Sequence, residues 1–187
     1  SNLLCMTKSS NLIDSLEVYI LSNPAEVKPH WVSHFIVPTA NEILIKIKNK
    51  NGNSGFGLAT SYTDIKPIIK PFSNGLQDLI IGEDPFCPEK LYEKIFNLTD
   101  TRTSNEKEWS KVALIRISAA LDIACWDLIG KASKMPLYKL FGGYRNKIPV
   151  YVTCAYYRDN KDETELREEL KKLIDVGHQS FKVKVGG

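Results

Sequence analysis

The sequence predicts an α+β domain, with a three-stranded antiparallel meander and helices, followed by the first β-α-β unit of a TIM-like (β/α) barrel. Three observations carry this prediction: alternating strands around an Asn-Gly turn, a long apolar helix, and a strand-helix-strand pattern at the end. We expect the domain boundary after residue 144, so that residues 1–144 form the first domain and residues 145–187 begin a barrel that is incomplete in this chain.

The first third of the chain carries the pattern of antiparallel strands. Over Glu42–Lys48, isoleucines alternate with leucine and lysine, which predicts a strand with one buried face. The pair Asn51-Gly52 favours the positive φ angles of a tight hairpin turn. Further strands are therefore expected over Leu12–Leu21 and Phe56–Tyr62. The proline-rich stretch Ser22–Ala40 is predicted to be a loop, of a length typical of functional lids or linkers.

The middle of the chain is predicted to be helical. Pro88 suits the first turn of a helix, and the polar stretch Thr99–Asn105 is predicted to be a loop. A long helix is expected from about Glu106 to about Lys131; its central part is apolar nearly all round, which predicts burial on most sides. A short helix over Leu137–Phe141 should follow and end at two glycines.

The last part of the chain has a different pattern. A strand over Ile148–Ala155 is followed by a helix that Asp162 or Thr164 could cap, and then by a strand over Phe181–Val185. This order implies a parallel strand pair with a right-handed crossover. Parallel sheets are stable only when helices cover both faces, so the unit is expected to begin a larger barrel of about 250 residues.

Composition excludes several classes of function. The net charge of +3 is spread over 25 basic and 22 acidic residues without a basic block, so no nucleic-acid partner is expected. No apolar run approaches the roughly 20 residues of a membrane span, and no signal peptide is recognised, so we expect a cytoplasmic protein without a membrane partner. The four cysteines form no CxxC pair, which argues against a zinc site or a disulfide framework. Cys125 and Cys154 are expected in or near the core.

Lys182 and Lys184 are the candidate catalytic residues. Strand alternation places Phe181 and Val183 on one face and both lysines on the other. In a barrel the lysines would then point inward near the C-terminal end of the strand, where such barrels have their active sites. Two neighbouring ammonium groups disfavour each other's charge, so one could lose its proton and act as a base. On these five residues alone, the preferred interpretation is that both lysines form the solvated face of an edge strand.

Four segments, in order and with natural spacing, resemble motifs of the mandelate racemase/muconate lactonizing enzyme family of the enolase superfamily. They are Ala119–Lys131 (AALDIACWDLIGK), Pro136–Gly143 (PLYKLFGG), Ile148–Tyr151 (IPVY) and Gly177–Gly186 (GHQSFKVKVG). The resemblance implies that residues 1–144 form the family's capping domain and that the barrel begins at residue 145.

The resemblance also implies a chemistry. Members of this family bind Mg²⁺ and abstract the proton α to a carboxylate, so a small-molecule carboxylate substrate is expected. Lys184 would be the acid/base, and Lys182 its neighbour that interacts with the substrate carboxylate. The family's Mg²⁺ ligands come from later barrel strands, so no metal ligand is assigned here. A homo-oligomer is also expected.

Four further residues are candidates for contact with the substrate. Trp31 and His34 occupy the place of the family's substrate-covering loop, and Thr60 and Tyr62 occupy the neighbouring cap loop. Ordinary packing or exposure is the alternative for all four.

Two aspartates in the long helix invite a metal-binding interpretation. Asp122 and Asp127 are five residues apart and fall on different helix faces, so capping or pairing with Lys131 is the preferred role.

Two functional hypotheses follow. The first is the N-terminal part of an acid-sugar dehydratase, or of a racemase or epimerase of a 2-hydroxy acid. The alternative is a truncated, non-catalytic scaffold or oligomerisation module.

Overall fold

A computed structural model of the chain describes residues 9–22, 30–32, 35–37, 41–61 and 64–185. Its strands and helices are, in chain order, β1 (Ile13–Ser22), β2 (His30–Val32), β3 (Phe35–Val37), β4 (Asn41–Asn49), β5 (Ser54–Ser61), α1 (Lys66–Ser73), α2 (Pro88–Phe96), α3 (Arg102–Glu106), α4 (Lys111–Ala132), α5 (Leu137–Leu140), β6 (Val152–Cys154), α6 (Glu163–Asp175) and β7 (Phe181–Val183).

The described residues fall into two compact units. The first contains those of Ser1–Leu21 and Asn41–Tyr144, and the second contains those of Ser22–Ala40 and Arg145–Gly187. A single boundary after residue 144 assigns the stretch 22–40 to the first domain, whereas in the structure it groups with the second unit.

The first unit is built on a three-stranded antiparallel sheet with β4 in the centre, between β1 and β5. This confirms the predicted meander. Ile43, Ile45 and Ile47 form the buried face of β4, and the residues between them are partly or fully exposed. The turn between β4 and β5 is the predicted one, with Gly52 at a φ of 86° and its N–H donating to the carbonyl of Asn49 at 3.0 Å.

Helix α4 packs directly on β5, where two glycines allow a close approach of the backbones. A Cβ atom at Gly57 would lie 1.9 Å from the carbonyl oxygen of Ala120, and one at Gly55 would lie 1.9 Å from that of Ala124. No side chain fits at such a distance. Gly55 is paired with Ile47 of β4, and Gly57 with Ile45, so a large side chain on the neighbouring strand lies beside each glycine.

The core of the first unit gathers around α4, which also contacts α1 and α2. Ten of the 22 residues of this helix are buried, whereas Val112, Ile115 and Ile123 are exposed, so the predicted burial on most sides is found for only part of its surface. Cys125 is fully buried within it, and burial raises the pKa of its thiol to about 12. Cys154, in the second unit, is also buried, as predicted.

Asp127 joins α4 to the start of β5. Its carboxylate accepts hydrogen bonds from the backbone N–H of Phe56 at 2.9 Å and from Lys131 at 2.6 Å. The ammonium of Lys131 also lies 4.7 Å from the centre of the Phe56 ring. Both hydrogen bonds are accepted by Oδ2 of Asp127, and the predicted pairing with Lys131 is confirmed.

The predicted long helix from Glu106 is wrong at its N-terminal end. The stretch expected to be a loop contains α3, whose first turn is capped by Thr101 and Ser104. The chain then reverses at Glu108, with a φ of 54°, and α4 begins only after Ser110, whose hydroxyl accepts from the N–H of Ala113 at 3.1 Å. Burial of Trp109 at this corner holds the break in place.

Other boundaries also differ from prediction. Within the expected loop 22–40, β2 and β3 pair in an antiparallel arrangement, with Trp31 opposite Ile36. The strand expected over Ile148–Ala155 is limited to β6, and the last strand ends at Val183, because each finds its ladder partner only over three residues. Asp162 is the residue that caps α6, accepting from the N–H of Glu165 at 2.9 Å.

No helix among the described residues is both long and apolar enough to cross a membrane.

The close approach at Gly57 predicts a large loss of stability on substitution. Gly57→Ala would force α4 away from β5, because the obstacle is backbone and cannot rotate aside; we expect the free energy of unfolding to fall by about 3 kcal/mol or more. Urea denaturation followed by circular dichroism measures this change. Leu58→Ala, at the exposed neighbouring position, is the control and should cost less than about 1 kcal/mol. Equal losses in the two variants would contradict the packing described here.

Candidate active site

The two candidate lysines lie in the second unit, where β6 and β7 form a parallel pair. Thr153 is in register with Lys182, and Cys154 with Val183. Cys154 is buried and lies near Glu169 of α6, which assigns the Cys154 and Val183 face to the helix side. Alternation then gives Thr153 and Lys182 the opposite face. The parallel pair agrees with the prediction; the alternation of faces beyond Val183 and the catalytic roles of the lysines stay predictions.

Lys182 and Lys184 differ in their surroundings. Lys182 is exposed, whereas Lys184, just beyond the end of β7, is half-buried. The ammonium nitrogen of Lys184 lies 5.4 Å from the centre of the Tyr156 ring, within the range of a cation–π contact. Lys184 and Tyr156 line an open cavity of about 430 Å³, together with Leu166 and Leu170 of α6.

The Tyr156 ring has a second aromatic neighbour. The imidazole of His30, at the start of β2, meets it edge-on, with ring centres 4.7 Å apart and planes inclined at 65°. Partial burial and then the charge of Arg158 lower the pKa of His30, so its ring is held in the neutral form near neutral pH. His30, from the stretch 22–40, thus packs against the same Tyr156 ring that Lys184 contacts.

The backbone around Tyr156 is held by an ion pair between Lys161, which precedes α6, and Glu169 of α6. Lys161 and Glu169 pair at their charged ends, with side chains only 11% and 31% exposed. Glu169 accepts from the N–H of Ala155 at 3.2 Å, and Lys161 donates to the carbonyl oxygen of Tyr156 at 3.4 Å. Ala155 has a φ of 58°, a left-handed conformation that is costly for a residue other than glycine.

Two effects of opposite direction act on the pKa of Glu169. Burial alone would raise the pKa of this carboxyl group, but hydrogen bonds from Lys161 and from the N–H of Ala155 together hold it below its ordinary value. The carboxyl group of Glu169 is therefore ionised at neutral pH.

The four candidate substrate-contacting residues are described to different extents. His34 and Tyr62 lie outside the described residues. Trp31 belongs to β2 of the second unit. Thr60 lies in β5 of the first unit, where its hydroxyl is 3.5 Å from the carboxylate of Glu42 and its carbonyl oxygen accepts from Arg116. Their contact with a substrate stays a prediction.

Sequence reasoning missed Tyr156, His30, Lys161 and Glu169. One signal for Glu169 was present: it lies three residues after Leu166 and four before Leu173, so a carboxylate stands on the apolar stripe of α6. A charge in that position requires a partner. The positions of the other three depend on loop geometry that no periodicity encodes.

Within the described part of the chain, no three His, Cys, Asp or Glu side chains come together in a way that could hold a metal ion. These residues therefore do not fit a Mg²⁺ site of their own.

Comparisons with known proteins agree on one family. Residues 15–142 match the model described as mandelate racemase / muconate lactonizing enzyme, N-terminal domain. The chain is 31% identical over 144 residues to an arabinonate dehydratase of Saccharolobus solfataricus, covering 77% of this chain and 37% of that protein. It is 31% identical over 180 residues to an L-Ala-D/L-Glu epimerase of Clostridium acetobutylicum, covering 94% of this chain and 46% of that protein.

Solved structures show the same fold. A mandelate racemase/muconate lactonizing enzyme superposes with a TM-score of 0.77 at 26% identity, over 94% of this chain and 46% of the other. A racemase from Streptomyces coelicolor A3(2) with bound magnesium gives a TM-score of 0.77 at 24% identity, over 94% of this chain and 47% of the other. The chain thus spans less than half the length of the proteins it matches.

The clamp formed by Lys161 and Glu169 predicts a specific loss of stability. Glu169→Gln keeps an acceptor for the N–H of Ala155 but removes the ion pair with Lys161, and we expect a cost of about 1–3 kcal/mol at pH 7. Because the folded state lowers the pKa of Glu169, its stabilisation is complete above the ordinary value of 4.5 and is lost as the pH falls through the lower folded-state value.

Urea denaturation at pH 7 and across the range below pH 4.5 tests this prediction. The variant should lose stability less steeply on acidification than the wild type. Glu168→Gln, at the exposed neighbouring position, is the matched control and should be nearly neutral. A Glu169→Gln variant with the wild-type acid profile would contradict the assignment.

Proposed function

Because this chain belongs to the mandelate racemase/muconate lactonizing enzyme family, we propose that it is the N-terminal part of a Mg²⁺-dependent lyase or isomerase. The reaction begins with removal of the proton α to a carboxylate. The observation that carries the proposal is the position of Lys184 directly after β7, a strand parallel to β6, with Lys182 two residues before it.

Each lysine has its own role in this proposal. Lys184 accepts the α-proton, since it lies one inward-facing step nearer the mouth of the barrel and is half-buried. Lys182 supplies a fixed positive charge for the substrate carboxylate. The half-buried position favours Lys184 as the base, because a base shielded from water transfers protons without competing solvation.

The Mg²⁺ ion belongs to the proposal for the whole protein only. The described residues do not provide its ligands, so these would come from barrel strands outside this chain.

The substrate is proposed to be an acid sugar or a related small carboxylate. The relatives include an arabinonate dehydratase, a D-gluconate/D-galactonate dehydratase and an L-Ala-D/L-Glu epimerase. We favour dehydration of an acid sugar over racemisation or epimerisation, since the dehydratase activity recurs among these names. We also propose that the protein is cytoplasmic and forms a homo-oligomer.

The test uses the complete gene product in deuterated buffer with Mg²⁺. A panel of arabinonate, gluconate, galactonate and L-Ala-L-Glu is followed by proton NMR for exchange of the α-proton and for product. Lys184→Ala should slow exchange by about 100-fold to 10,000-fold, the usual contribution of a positioned base. Lys171→Ala, an exposed lysine on α6, is the control and should leave the rate unchanged.

Both enantiomers of each substrate are assayed, because a second base on the opposite side could exchange one of them. Undiminished exchange of both enantiomers in Lys184→Ala would remove this lysine as the base. No exchange with any substrate of the panel in the wild type would favour the non-catalytic scaffold instead.

A further inference from the structure

Lys184 contacts an aromatic ring that has no part in the proton transfer proposed above. Its ammonium lies over the face of the Tyr156 ring at 5.4 Å, while Lys182, on the same strand, is exposed. A flexible lysine side chain otherwise samples many rotamers, and ordering it costs up to about 2 kcal/mol. A ring that holds the amine in one place removes part of that cost before substrate arrives.

The ring is itself fixed from two sides. The His30 imidazole packs edge-on against it, 4.7 Å between centres. The backbone on either side of the Tyr156 Cα is held by the clamp of Lys161 and Glu169, through the N–H of Ala155 and the carbonyl of Tyr156. This clamp keeps Ala155 in its left-handed conformation, at a φ of 58°. Strained backbone of this kind persists only where its surroundings hold it, and it is concentrated at functional sites.

From these contacts we infer that Tyr156 is a positioning residue for Lys184, which holds the lysine amine over its ring face at the mouth of the first two barrel strands. The effect of Tyr156 on catalysis rests on the proposed function, whereas the position of the Lys184 amine over the ring does not. The aromatic face positions the lysine and the hydroxyl group does not, because the ammonium contacts the ring.

The placement is tested in the complete gene product labelled with ¹³C at the Cε of lysine. Protons above an aromatic face are displaced upfield in the NMR spectrum, so the signal of the protons bonded to the labelled Cε of Lys184, identified by its loss in Lys184→Arg, should lie upfield of that of Lys182. Tyr156→Phe should keep this displacement, and Tyr156→Leu should abolish it. Tyr151→Leu, at an exposed tyrosine before β6, is the matched control and should leave the signal in place.

The catalytic meaning is tested with the same variants and the substrate found in the panel above. Tyr156→Leu should lower kcat by about 5-fold to 30-fold, the equivalent of one cation–π contact, with little change in KM. Tyr156→Phe should restore the wild-type kcat.

The outcomes separate the two proposals. A Lys184 signal that is not displaced in the wild type, or that is unchanged in Tyr156→Leu, overturns the positioning role, and the wild-type measurement decides this even if the leucine variant fails to fold. Equal losses in the phenylalanine and leucine variants also overturn it. Absence of turnover with a displaced, ring-dependent signal contradicts the proposed function and leaves the placement of Lys184 established.

Discussion

The contact between α4 and β5 is the constraint on which the first unit depends. At Gly55 and Gly57 the strand has no side chains, and the helix backbone occupies that space, with carbonyl oxygens where Cβ atoms would otherwise lie. This closeness determines the neighbours of α4: α1 and α2 cover other faces of the same helix. The sides of α4 that contact these elements must be apolar, and Val112, Ile115 and Ile123 are apolar although exposed, so the helix has no clear polar face.

Features governed by local pattern could be predicted from the sequence. The isoleucines of β4 and the Asn51-Gly52 turn specify a hairpin by alternation and by positive φ, and both are found. The break before α4 could not be predicted in the same way, because Glu108 and Trp109 have no unusual helix propensity. There the burial of the Trp109 ring overrides local preference, and a corner replaces a continuous helix.

The site shows the same division between local and tertiary information. Lys182 and Lys184 are visible in the sequence because strand alternation and family motifs both mark them. Tyr156 is not, since its ring reaches Lys184 only through the turn at Ala155 that Glu169 holds from the next helix. A segment outside the helices and strands of the second unit is therefore held by two charged side chains.

The grouping of the stretch 22–40 with the second unit has a consequence for how this protein can be recombined. The polypeptide passes from one unit to the other after residues 21, 40 and 144, so neither unit is a contiguous piece of the gene. A chimera that exchanges the barrel of two relatives at a single junction would leave His30 from one parent facing Tyr156 from the other. These two residues are therefore expected to be inherited as a set, and a chimera between members of this family requires two exchanged segments in place of one.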